Sequence, residues 1–368
     1  MSNGQSKIGI GPEGRMAALI QFIVMAILST VIFIYGFSPA TIVMTFLPAS
    51  LLVLISLGSL ALMGDNFPLA PPGGNWNPTK SRVPAGVGMT AIFVVFTALF
   101  LAFMLYVFPK WPISPLFLWW GAIGFWATLL YGINWNCWPF KGKMHPWATM
   151  GIGFVIVIVI ASLVWTNLTN LAGTPFADSP FDHKGPLNVN WLTGFIVWAI
   201  AWFFIFNPLF ITQGWPFTKW GHPGAAISQT ILAHILAYIC WSGSLAMGMS
   251  PSFSFGAVAS SLIFWALVYS WHFQFWGITK LTGASRAIAA FVIQCILTAL
   301  WIPICNVILK PVADSIAAAK LPADINMLII YLNLVPLAVL LLMHNAFWLR
   351  WPLTLPNPPG TPPPDQSV

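Results

Sequence analysis

The sequence predicts an all-α fold: a polytopic transmembrane helix bundle of about ten spans, assembled from two-helix units. Three observations lead there. Of the 368 residues, 58% are hydrophobic and only 6% charged, whereas a soluble domain carries about 25% charged residues. The apolar residues gather in runs of about 20, the length that crosses a hydrocarbon core of about 30 Å at 1.5 Å per residue. A loop signature also returns five times: Trp76-Asn-Pro-Thr-Lys80, Trp138-Pro-Phe-Lys141, Trp215-Pro-Phe-Thr-Lys219, Trp276-Gly-Ile-Thr-Lys280 and Trp351-Pro-Leu-Thr.

In chain order, residues 1–15 form a polar N-terminal segment, and the run Met16–Tyr35 is a retained first span because no small-residue cleavage site follows it. Spans are expected near 16–36, 41–63, 85–108, 113–134, 147–166, 191–212, 224–247, 254–275, 286–309 and 325–348, so that 16–351 is one membrane domain. The runs are twice the length of a barrel strand and lack strict alternation. Pro48 and Pro336 fall inside spans, which membrane helices tolerate when neighbours satisfy the freed carbonyl. Residues 352–368 are a proline-rich tail.

Every charge is expected outside the spans. The side holding the Trp loops and both termini collects Lys7, Arg15, Lys80, Arg82, Lys141, Lys143, Lys219, Lys280, Arg286 and Arg350; the other has Lys110, Lys184, Lys310 and Lys320. This positive-inside bias predicts cytoplasmic Trp loops and termini. The net charge of +7 is dispersed, without a basic cluster, and does not suggest nucleic-acid binding.

The signature reads as an interfacial element: Trp at the headgroup boundary, Pro ending the helix, Lys toward lipid phosphate. Val83-Pro84, His145-Pro146 and His222-Pro223 then begin the next helix, where proline's missing N–H costs nothing. The alternative is a cytoplasmic gate made by His145 and His222. Successive Trp positions lie 62, 77, 61 and 75 apart. That alternation suggests a parallel four-helix superrepeat, 76–214 answering 215–350, with spans 1–2 added in front. The longest loop, 166–190, carries Asp178, Asp182, His183 and Lys184 on the opposite face, as a lid or an ordered cover.

Polar side chains in hydrocarbon are costly unless paired and should face the bundle interior. Span 5 has one, Ser162, whereas spans 7–10 carry Gln229, Thr230, His234, Tyr238, Gln294, Thr298 and Asn333. Thr230, His234 and Tyr238 are four apart and share a helix face. A polar path among spans 7–10 is therefore expected, with His234, Gln229, Thr230, Tyr238, Gln294 and Asn333 as substrate-binding candidates. No Asp, Glu, Lys or Arg is expected within a span, which disfavours a proton- or sodium-coupled carrier. No nucleotide-binding, metalloprotease or nucleophile-elbow motif occurs. Cys137, Cys240, Cys295 and Cys305 have no CxxC spacing, and no metal site is expected.

Three functions fit. The first is a permease or facilitator for a small neutral or weakly anionic solute. The second is a membrane-anchored redox subunit, with haem b or quinone held by His272 and His344 at similar depth. The third is a structural subunit of a larger complex. Membrane lipid is the expected surrounding partner in each, and partner subunits are expected in the last two.

Overall fold

The computed structural model describes residues 12–66, 68, 82–107 and 116–348. The signatures at Trp76 and Trp351 lie outside these residues. Ten helices are long and apolar enough to span a bilayer: Met16–Tyr35 (span 1), Pro39–Met63 (span 2), Val83–Tyr106 (span 3), Leu116–Asn134 (span 4), Pro146–Leu168 (span 5), Val189–Phe206 (span 6), Gly224–Ala246 (span 7), Ser252–His272 (span 8), Gly283–Ala318 (span 9) and Ile325–Ala346 (span 10). The chain is a multi-pass integral membrane protein.

The spans form two concentric layers. In the most apolar stretch of each even-numbered span, 61–78% of residues are buried; in the odd-numbered spans the figure is 22–28%. The even spans make a closed inner ring: span 2 packs on 4, 4 on 6, 6 on 8, 8 on 10, and 10 back on 2. Each odd span lies outside, over the seam between two inner ones. Span 3 covers the 10/2 seam, span 5 the 2/4 seam and span 7 the 4/6 seam. Span 9 packs along spans 8 and 10, and nearer its start Phe291 stacks on Trp202 of span 6. Span 1 covers the 8/10 seam, with Phe22 against Phe264 and Trp265. The packing period is one hairpin, with no separate mark of a two-hairpin period among the described residues. Because each hairpin returns the chain to its starting side, all five inner helices run in the same direction, toward the Trp-loop face.

Tryptophan, present 21 times, stitches these layers. An indole N–H is a donor with no acceptor capacity, and in hydrocarbon it needs a partner. Trp126 donates to His234 across spans 4 and 7 at 3.2 Å, Trp198 to Ser254 across spans 6 and 8 at 3.0 Å, and Trp348 to Thr90 on span 3 at 3.1 Å. Glycine allows close approach elsewhere. A Cβ on Gly58 would come within 2.7 Å of Thr128, and one on Gly194 within 2.3 Å of the Trp241 ring.

Three inner spans leave the membrane through the same turn. Their last five residues (Ser59–Met63, Leu130–Asn134, Val268–His272) widen into π-helix. The next amides reach back five and six residues: Gly64 to Ser59 and Asn66 to Leu60, Trp135 to Leu130 and Cys137 to Tyr131, Phe273 to Val268 and Phe275 to Tyr269. Two left-handed residues close each turn, Asp65–Asn66, Asn136–Cys137 and Gln274–Phe275. In the second and third, the signature Trp follows at once. Trp138, Trp215 and Trp276 are 44%, 42% and 43% exposed, equivalent positions at one rim. Lys141 of the signature reaches the end of span 2, bonding Leu62 O at 3.1 Å and Asp65 at 2.8 Å. His145 caps span 5, its ring nitrogen accepting from Trp147 N–H.

Two expected boundaries move. Span 6 stops at Phe206, not near 212, because Asn207-Pro208 breaks it. Span 9 runs 36 residues to Ala318, about 54 Å at 1.5 Å per residue, so it projects beyond the bilayer. Lys310 and Asp314 therefore lie on a helix, as an exposed pair at 3.0 Å, rather than in a loop. Pro336 sits in the π-turn Asn333–Leu337 and Pro48 follows the one at Ile42–Phe46, where the wider helix accommodates the missing N–H.

The 166–190 loop is an ordered cover. Strands Thr169–Asn170 and Leu187–Asn188 pair in parallel, Leu171 is buried, and Phe176 meets Trp119 edge-on. Its hub is Asp182, whose carboxylate accepts the N–H groups of Leu171, Asp178 and Lys184 at 3.0–3.2 Å and the Lys184 ammonium at 2.8 Å.

Candidate functional site on the ring axis

The inner ring encloses a space of about 50 Å³ in the half nearer the Trp-loop face. All five inner spans wall it: Leu57 and Leu62 from span 2, Leu129 and Ile133 from span 4, Phe204 from span 6, Leu267 and Trp271 from span 8, Leu334 and Leu342 from span 10. Phe210, just beyond span 6, lines the space as well. Among the described residues no charged side chain lines it. A cavity of about 150 Å³ accepts benzene, and apolar voids stay dry. This smaller space is therefore a dry, partly enclosed section of the axis.

Phe210 arrives there because span 6 ends differently from its sisters. Proline at 208 has no N–H to give and bars a further helical turn. The chain folds inward instead, and Phe210 is 2% exposed, its ring 4.6 Å from Phe204 and stacked on Trp271 at 5.8 Å. Asn207 fixes the segment. Its Nδ2 donates to Ile133 O at 3.0 Å, and its Oδ1 accepts from Leu209 N–H at 2.8 Å.

The side chains expected to share one polar interior are distributed over different seams. Span 7, expected in the working half, is an outer helix. Tyr238 is 57% exposed on it, Thr230 is half-buried and Gln229 buried. His234 accepts the Trp126 indole proton on Nε2, so its Nδ1 carries the hydrogen and donates to Thr230 O at 2.7 Å. Phe195 and Phe203 complete its surroundings. Gln294 on span 9 is buried against span 8, donating to Leu262 O at 2.7 Å. Asn333 on span 10 bonds Trp301, Ser260 and Ser261. None of these six lines the axial space.

His272 and His344 occupy neighbouring inner spans near the Trp-loop end, and both are buried. The Nε2–H of His272 donates to Ala18 O on span 1 at 2.8 Å, with Phe22 and Phe273 against the ring. Ligation of a haem iron through that nitrogen would require giving up this bond. Among the described residues no three His, Cys, Asp or Glu side chains gather into a metal-holding group.

Phe210, Trp271 and Asn207 were not singled out by sequence. The available signal was Asn207-Pro208, which places a proline seven residues before a signature Trp where the neighbouring units have none. No family model, curated protein or solved structure matches this chain.

Proposed function

We propose that the protein is a permease or facilitator for a small neutral solute, with the axis of the inner ring as its route. The observation supporting this is the axial space walled by every inner span, in a ring whose helices all point the same way. Structural subunits need no common axis, whereas a route for solute does. The lining favours an uncharged solute over the weakly anionic alternative. Burying a hydroxyl or amide without a partner costs roughly 2–7 kcal/mol and an isolated ion far more, and nothing on the wall offsets either.

Reconstitution into vesicles tests this. Stopped-flow swelling in urea or glycerol gradients is expected to exceed that of protein-free vesicles and to vanish in Ala338→Trp, because Ala338 of span 10 also lines the axial space and an indole there would fill it. Ile231→Trp, on the lipid-facing side of span 7 where Ile231 is 56% exposed, is expected to leave it unchanged. Equal flux in a well-folded Ala338→Trp protein would remove the axial route.

A further inference from the structure

We infer that Phe210 is the gate of this route and Asn207 the latch that keeps it shut; the inference rests on the axial reading above. Four observations converge. Spans 2, 4 and 8 leave through matching π-turns, and none of the described residues that follow those turns lines the axial space. The unit of span 6 breaks this pattern at Pro208, and among the described residues Phe210 is the one bounding the axial space that comes from outside a span. The aromatic stack of Phe210 on Trp271 joins the broken unit to span 8, across the ring end.

The fourth is the tether. Asn207 supplies a side-chain bond from this segment to another inner helix, and its acceptor is Ile133 O, in the π-turn of span 4. That carbonyl is free because a π-turn leaves its last carbonyls without helical donors. The segment ends at Gly214, in the left-handed region at φ 77°, a position glycine adopts without steric cost. Between Pro208 and Gly214 lies a short arm that carries the ring of Phe210; the Asn207 amide ties it to span 4, and Thr212 N–H ties it back to Ile205 O of span 6 at 2.9 Å. An apolar constriction of this kind stops water and solute by dewetting rather than by charge. Withdrawal of Phe210 would open the dry section to the Trp-loop face.

The test uses the full-length protein in vesicles, read by swelling in urea and glycerol gradients. Phe210→Ala removes the ring, Phe210→Asn makes the constriction wettable, and Asn207→Ala releases the latch with the ring retained. Each is expected to raise solute entry by about tenfold or more, as loss of a dewetted constriction implies. Phe154→Ala, which disturbs an aromatic contact between spans 3 and 5, is expected to do nothing. Adding Ala338→Trp to Phe210→Ala is expected to stop the leak. If Phe210→Asn and Asn207→Ala keep wild-type circular dichroism and elution volume yet remain as tight as wild type, Phe210 is not the gate, whatever the wild type carries. A leak that survives Ala338→Trp is not axial and overturns the gate as well. A wild type that passes nothing under any condition, beside variants that leak along the axis, leaves the gate standing and removes the permease reading instead.

Discussion

The indole N–H of Trp301 on span 9 donates to the amide oxygen of Asn333 on span 10 at 2.8 Å, and both side chains are buried. The amide nitrogen of Asn333 uses both its hydrogens, on Ser260 and Ser261 of span 8. One amide thus ties an outer helix to two inner ones with its donors and acceptor engaged. Asn333→Leu strands the indole proton and leaves both hydroxyl oxygens without the amide donor, although the Ser260 hydroxyl still donates to Gly256 O. The expected loss is about 1–3 kcal/mol, measured as a lower midpoint of unfolding in mixed micelles. Trp301→Phe, which withdraws only the donor, is expected to cost less.

His234 holds the corresponding position between spans 4 and 7. Its pairing with Trp126 has the value of a membrane interhelical hydrogen bond, about 0.6 kcal/mol on average. Because it lies off the ring axis, His234→Leu is expected to lower stability by about that amount and to leave solute flux intact. Ser162→Leu in span 5 is expected to change neither. Abolished flux in a stable His234→Leu protein would return the route to the polar side chains of span 7.

Gly194 presses its backbone onto Trp241, with room for a Cβ only 2.3 Å from the ring. Gly194→Ala therefore overpacks the 6/7 seam and is expected to cost about 1–3 kcal/mol. A reduced thermal midpoint checks this, and a variant as stable as wild type would mean that span 7 retreats freely into lipid.

Cys137 lies just past span 4, and burial pushes its thiol up to about 11. At pH 8 about one molecule in a thousand would carry the reactive thiolate. Cys137 is expected to resist maleimide in mild detergent at pH 8 and to react once the protein is denatured, as mass spectrometry of the modified peptide will read.

In the outer cover, the hydrogen bond from Lys184, then those from the Leu171, Asp178 and Lys184 amides, hold the Asp182 carboxyl well below the usual carboxylate range. A depressed folded value means that this stabilisation is fully present above the unfolded value of about 3.9 and is lost as the pH falls through the folded one. Proteolysis between Leu171 and Lys184 is expected to stay slow at neutral pH and to accelerate at the acid end. Asp182→Asn is expected to be cut faster already at pH 7.

The hairpin architecture was legible because loop chemistry repeats: Trp138, Trp215 and Trp276 mark one rim at matching exposure. Which helices face inward was not. Span 7 has the lowest mean hydropathy, 1.4, yet is an outer helix, while span 2 at 2.2 is an inner one. Average polarity misleads here because His234 and Trp301 spend their polar groups on seams between layers, and the axis itself is greasy. The site was hidden for the same reason. Phe210 looks like any other phenylalanine of an apolar run until Pro208 is seen to end span 6 early.

The common direction of the five inner helices also has an electrical consequence. Each helix carries the equivalent of roughly half an elementary charge at either end, positive at the start and negative at the finish. Side by side, these add into two opposed rims, and Lys141, Lys143, Lys219 and Lys280 cluster at the negative one. The two entrances are thus unlike in field as well as in shape. A dipolar molecule would be turned the same way at both rims, so on the proposed route the field would favour one orientation over the other.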